Sequence, residues 1–176
     1  MSVDEFIIWA IDQPGRYELI NGEPVAMSPE RAIHARVKAN VWSSLQKAIN
    51  NAGLKCEAFP DGMTVRISEN TAYEPDALVQ CGDLLDDDAI EITLPIIIVE
   101  VVSPSSAKSD TNAKLDGYFS IPSVMHYLVV LTQGKRIVHY QRDKDGNPQA
   151  NLLHEGRISL HPPGLEIEVS TFFSRL

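Results

Sequence analysis

Glu100 needs the most explaining, because it sits within Ile96-Ile97-Ile98-Val99-Glu100-Val101-Val102. Strand alternation puts Ile96, Ile98, Glu100 and Val102 on one face. A carboxylate in so apolar a run loses hydration and must find a cation or hydrogen-bond donors. Alone, the segment admits two readings: a strand-end glutamate that reaches solvent or pairs with a lysine, and a functional carboxylate. Asp76 bears on the choice. It follows Tyr73-Glu74-Pro75 and leads into Ala77-Leu78-Val79. Pro75 lacks an N–H and suits a strand start, so Asp76 belongs at the mouth of a strand; a turn-capping aspartate fits the same place. If the two strands are neighbours, both carboxylates meet at one end of a sheet. There they offer the oxygen ligands that a hard divalent cation such as Mg²⁺ prefers.

Lys114 is the third component. Asp110, Lys114 and Tyr118 recur at spacing four, on one face of a helix expected from about Ser109 to Ser120. Either Asp110 and Lys114 form a surface pair worth about 0.3–0.5 kcal/mol, or the ammonium turns toward the two acids. In the second case it can orient or help deprotonate a water in the metal's shell and stabilise charge on phosphate oxygens. The pair of acids is already the minimal equipment for metal-assisted hydrolysis. Ser103, Ser105 and Ser106 read as a turn and helix cap, with no His or acid in the relation a serine nucleophile requires. His126, His139, His154 and His161 lack metal-ligand spacing.

The elements that must position these groups follow from local patterns. Ser2 and Glu5 have capping-box spacing before a short opening helix. Asn21-Gly22 joins Tyr17–Ile20 to Glu23–Met27 as a hairpin. Ser28 and Pro29 are expected to start a long helix, with Ile33, Val37, Val41, Leu45 and Ile49 as its buried stripe and Gly53 as its stop. Strands are expected at Leu54–Phe59, Met63–Ser68, Ala77–Cys81 and Ile96–Val102. After the second helix come Met125–Leu131, Lys135–Gln141, a short strand near Leu152, and Leu165–Val169. Strands interspersed with helices indicate an α/β (α+β) fold, a mixed sheet flanked by helices.

The chain has 176 residues, 44% apolar and 22% charged, the size and composition of one domain spanning 1–176. Its longest apolar run, Leu94 to Val102, contains Pro95 and Glu100 and falls short of the roughly 20 residues a membrane helix needs. No basic-then-apolar leader opens the chain, so a cytoplasmic protein is expected, with Cys56 and Cys81 as reduced, buried thiols. The formal charge of -9 works against a nucleic-acid ligand, because affinity for phosphates comes largely from Lys and Arg. Two basic segments offset it: Arg31, Arg36, Lys38 and Lys47, and Lys135, Arg136, Arg142 and Lys144. The acids Asp83, Asp86, Asp87, Asp88 and Glu91 read as a solvated loop without the glycine or the spacing of a calcium site.

Several separated motifs occur together. They are Pro75-Asp76, then Ile98-Val99-Glu100-Val101-Val102-Ser103-Pro104-Ser105-Ser106, then Asp110, Lys114 and Tyr118, then His126-Tyr127-Leu128-Val129-Val130. Near the amino terminus stand Tyr17-Glu18-Leu19-Ile20-Asn21-Gly22-Glu23, Met27-Ser28-Pro29 and His34. In this order they resemble a large bacterial family of restriction endonuclease-like proteins within the PD-(D/E)XK superfamily, over about Arg16 to Phe173. The resemblance implies a restriction endonuclease-like mixed sheet with an amino-terminal helix and hairpin. It implies an endonuclease acting on nucleic acid, here expected to be DNA. Asp76, Glu100 and the Val101 carbonyl would hold Mg²⁺ or Mn²⁺. The superfamily's lysine lies two residues after the glutamate, where this chain has Val102; Lys114 resembles a lysine migrated to the following helix. Glu18 is implied as a further acid and His34 as a phosphate contact, against a polar hairpin residue and a satisfied core histidine. Cutting both strands of a duplex would favour a two-fold dimer. A non-catalytic binding module on the same fold, and a hydrolase of another phosphate ester, are the alternative functions.

Overall fold

The computed structural model describes residues 1–102 and 110–176; the serines expected to form a turn and helix cap at 103, 105 and 106 lie outside the described residues. Helix α1 (Val3–Ile11) carries the expected capping box, with the Glu5 amide donating to Ser2 Oγ at 3.3 Å and the Ser2 amide to the Glu5 carboxylate at 2.8 Å. Strands β1 (Tyr17–Ile20) and β2 (Glu23–Ala26) form the expected hairpin. Asn21 (φ 51°) and Gly22 (φ 83°) supply the two positive φ angles of its tight turn. Strand β1 also pairs with β5 (Thr71–Tyr73), which pairs with β4 (Val65–Ser68), in the sheet order β2-β1-β5-β4. Strand β5 has no counterpart in the sequence reading, since Thr71-Ala72-Tyr73 is too short to display a period.

Helix α2 (Ala32–Ala52) starts later than Ser28 and Pro29 imply: its N-cap is Arg31, without a side-chain cap bond. Residues 27–31 instead run along the wall of a cavity, and Glu30 is drawn onto Lys38 of the helix. The far end is as expected, with Gly53 left-handed at φ 62°. Val37, Val41, Leu45 and Ile49 are buried, each stabilising the fold by about 1.5–3 kcal/mol, whereas Ile33 on the open first turn is 37% exposed.

The stripe packs on a six-stranded sheet. Its strands are β3 (Cys56–Pro60), β6 (Ala77–Cys81), β7 (Pro95–Val102), β8 (His126–Leu131), β9 (Arg136–Arg142) and β10 (Pro148–Leu153), in the order β10-β9-β8-β7-β6-β3. Only β7 and β8 run parallel, and helix α3 (Asp110–Ser120) lies in their crossover. The side chain of Asp110 lies outside the described residues, so its expected pairing with Lys114 is not described. Val79, Ile97, Val99, Leu128 and Val130 face α2. The same side takes strand β11 (Arg157–Leu160), unforeseen from the sequence, its partner β12 (Leu165–Glu168) and helix α4 (Val169–Phe172). On the opposite face, Leu78, Ile98, Tyr127 and Val129 pack with Tyr118 of α3. Ile96 does not share that face. Val79 pairs with Ile97 but Gln80 with Pro95, so Ile96 is an extra residue in a bulge and packs toward α2.

The expectation of two free thiols is corrected. The β3–β6 register sets Cys56 opposite Cys81, and a disulfide joins them across 25 residues of sequence. Spacing along the chain conceals a pairing that only the register creates. Among the described residues no helix is long and apolar enough to cross a membrane.

Two histidines left aside by spacing prove to be partners. His126 Nε2 lies 2.9 Å from the Pro162 carbonyl, and Nδ1 lies 2.9 Å from His139 Nε2. A carbonyl only accepts, so Nε2 of His126 carries the proton and Nδ1 accepts from His139. Both rings are buried. Burial, with mutual repulsion for His126, lowers each pKa from 6.5 to about 4. Between those values the two histidines bind more protons unfolded than folded, so the pair's contribution to stability falls as the pH drops from about 6.5 toward 4, with a slope near 1.4 kcal/mol per unit for each histidine. The change in urea midpoint from pH 7 to 4.5 should be less unfavourable in His139→Gln than in the native protein. An unchanged pH slope in that variant would exclude the buried neutral pair.

Candidate active site

The antiparallel register of β6 and β7 pairs Ala77 with Val99, which sets Asp76, just before β6, beside Glu100 near the end of β7. Both acids are buried, each 6% exposed. Asp76 Oδ2 accepts the Val101 amide at 2.6 Å, and Oδ1 meets Lys38 Nζ at 2.6 Å. Glu100 Oε1 accepts Lys114 Nζ at 3.0 Å and the Tyr118 hydroxyl at 2.7 Å. Lys114 Nζ also donates to Glu18 Oε1 at 2.9 Å, and the same oxygen takes the Glu74 amide at 2.9 Å. The spacing of four between Lys114 and Tyr118 thus aims both at one carboxylate.

Helix α3 must lie close to the sheets for Lys114 to reach. Gly117 makes this possible: a Cβ there would sit 2.9 Å from the Tyr73 ring and 3.2 Å from Ile67. The Tyr73 ring meets Tyr118 edge-on at 5.4 Å, and Lys114 Nζ lies 5.4 Å from its centroid. Arg142 holds the far end of the helix. Its guanidinium donates to the carbonyls of Phe119, Val124 and Ile121 at 2.8, 2.8 and 3.0 Å, satisfying groups that a helix end leaves open. Arg142, grouped by sequence with a phosphate-binding patch, is therefore committed to the fold.

A second ionic knot adjoins the first. Lys38 Nζ contacts Glu30, Asp61 at 3.1 Å and Asp76; Arg16 bonds Asp61 at 2.7 Å and also Glu74. Together the pairs join six carboxylates (Glu18, Glu30, Asp61, Glu74, Asp76 and Glu100) to three cations (Arg16, Lys38 and Lys114). Burial raises the Asp76 pKa despite Lys38. Burial likewise raises that of Glu100, Lys114 opposing it while Asp76 and Glu18 add repulsion. Burial works against the ammonium of Lys114, but Glu100 and Glu18 outweigh it and hold the pKa above that of an ordinary lysine.

A cavity of about 1010 Å³ opens over these groups. Glu18, His34, Asp76, Glu100, Val101 and Lys114, the residues singled out by sequence, all line it. Asp76, Glu100, Lys114 and Glu18 enter one network of contacts, whereas His34 stands on the wall, part-exposed. Val102 also borders the cavity, and Lys114 reaches it from α3. Sequence reasoning missed Lys38, Asp61 and Glu30 as site residues. Of the basic residues grouped with Lys38, Arg31 lines the cavity, but Arg36 and Lys47 are exposed and do not. The usable signal was spacing: Lys38 lies one turn after His34 and two after Arg31, on one helix face. Carboxylate oxygens of Glu30, Asp61 and Asp76 lie within 4.8 Å of one another. The all-oxygen donors and, among the described residues, the surplus of acids over cations suit a hard divalent ion.

Comparison with known proteins agrees with this architecture. The family model Uma2, described as "putative restriction endonuclease", matches residues 3–172. An uncharacterized protein of Synechocystis sp. is 31% identical over 131 residues, 73% of each chain. A second from the same organism is 25% identical over 178 residues, covering 100% of this chain and 93% of its own. The crystal structure of a putative nuclease belonging to DUF820 from Anabaena variabilis superposes with a TM-score of 0.75 over 99% of this chain and 98% of its own, at 13% identity. At that identity the likeness speaks to fold.

The seat of α3 is open to a direct test. Gly117→Ala should gain roughly 1 kcal/mol of helix propensity but lose more, about 1–3 kcal/mol, by overlap with Tyr73. A net fall in the urea midpoint is expected, and a rise would show that the helix does not rest on that ring.

Proposed function

The chain belongs to the Uma2 family, and from that premise we propose that it is a divalent-metal-dependent endonuclease that hydrolyses phosphodiester bonds in DNA. The observation that carries the reading is the meeting of Asp76 and Glu100 at one rim of the sheet with the Lys114 ammonium against Glu100. Asp76, Glu100 and the Val101 carbonyl would hold Mg²⁺ or Mn²⁺. Such an ion supplies Lewis-acid polarisation of the phosphoryl group and makes a water more acidic.

The remaining work falls to side chains of this chain. Lys114, held as a cation by two carboxylates, faces the cavity and would stabilise negative charge on the non-bridging phosphate oxygens. Tyr118 and Glu18 are positioning residues, the first fixing Glu100 and the second fixing Lys114. Arg31 and His34, on the cavity wall, are suited to neighbouring phosphates. In the reaction a water oxygen bonds to phosphorus and gives up a proton to solvent, the bond to one bridging oxygen breaks, and the departing alkoxide takes up a proton from solvent.

The formal charge of -9 favours a second reading, a non-catalytic binding module on the same fold. One set of measurements separates the two. Mn²⁺-dependent cleavage of DNA should fall by about 10²–10³-fold or more in Asp76→Ala, Glu100→Ala and Lys114→Ala, and Asp76→Ala should lose the heat of Mn²⁺ binding. Retained cleavage in all three variants refutes the assignment, and a native protein that gives neither heat nor cleavage is the binding module.

A further inference from the structure

Lys38 has the geometry of an internal substitute for a metal ion. Its ammonium touches three carboxylates from three places in the chain: Glu30 ahead of α2, Asp61 after β3, and Asp76 ahead of β6. Both oxygens of Asp76 are already engaged, Oδ2 by the Val101 amide and Oδ1 by Lys38. A divalent ion that takes Asp76 as a ligand therefore meets an ammonium at the oxygen it needs. Two cations on one oxygen repel at short range, in a pocket where water screens them weakly. Lys38 has a place to go. Its flexible stem and its contacts to Glu30 and Asp61 allow the ammonium to leave Oδ1 without losing all its partners. Asp61 is itself steadied by Arg16 at 2.7 Å.

We propose that Lys38 is a resident counter-cation that competes with the divalent ion for Asp76 and thereby sets the metal affinity of the site. It holds Asp76 aimed into the cavity, and it yields Oδ1 to the ion. This rests on the metal-dependent reading above and adds a residue that acts through Asp76, a positioning residue of unusual sign: removing it should strengthen metal binding.

The test is calorimetric titration of the native protein, Lys38→Met and Lys38→Arg with Mn²⁺ alone. Lys38→Met should bind Mn²⁺ at least ~10-fold more tightly, and Lys38→Arg should stay near the native affinity. Without the ion, Lys38→Met should melt below the native protein, and Mn²⁺ should raise its melting temperature by more. General structural damage would weaken binding, so equal or weaker affinity in Lys38→Met overturns the proposal. Native protein provides a second measurement that does not depend on the variant folding. Reductive methylation read by mass spectrometry should label Lys38 faster when Mn²⁺ is added, with exposed Lys47 as the reference; unchanged or slower labelling overturns the competition. Failure of the underlying reading looks different: no heat of Mn²⁺ binding in either native or Lys38→Met protein would remove the metal site itself.

Discussion

Everything at this rim follows from desolvated negative charge. Pairing β6 with β7 brings Asp76 and Glu100 to one edge of the sheet and buries both. Carboxylates taken out of water repel each other and hold their protons more tightly unless positive charge comes near. The fold answers with ammonium groups from two different helices, Lys38 of α2 and Lys114 of α3, which lie on opposite faces of the six-stranded sheet. Even so, among the described residues, the acids outnumber the cations that pair with them. A rim arranged this way favours an added divalent cation far more than it favours further stability, since a hydrophobic edge of the same shape would cost less to bury.

Much of this was legible in the chain because it violated local expectation. Glu100 stands among β-branched residues where a solvent-facing acid has no business, and Asp76 follows a proline at a strand mouth. Lys114 and Tyr118 share a helical period, and the structure sends both to Glu100. Apart from β5 and β11, the order of strands and helices was likewise readable from alternation and from the four-residue stripe of α2.

What escaped was whatever depends on distant partners. Lys38 looked like one more surface base of a basic helix, and only the arrival of Asp61 and Asp76 from the sheet gives it its role. Arg142 erred in the other direction, a base assigned to phosphate that is spent on carbonyls around the end of α3. The start of α2 was misplaced because Ser28 and Pro29 satisfy the local rules for a cap, while the pull of Lys38 on Glu30 belongs to tertiary structure. The Cys56–Cys81 bond depends on a register that no spacing along the chain reveals.

One side chain spans the two larger sheets. Lys114 is bonded to Glu18 of the amino-terminal hairpin and to Glu100 of the central sheet, and Gly117 and Arg142 fix the helix that carries it. Sliding either sheet would break one of those bonds and strand a buried charge. The mouth of the site is consequently a gauge of set width rather than a jaw. On the nuclease reading proposed above, a scissile strand would bend or splay to reach the acids at its floor, and the work of distortion would fall on the polynucleotide instead of the protein.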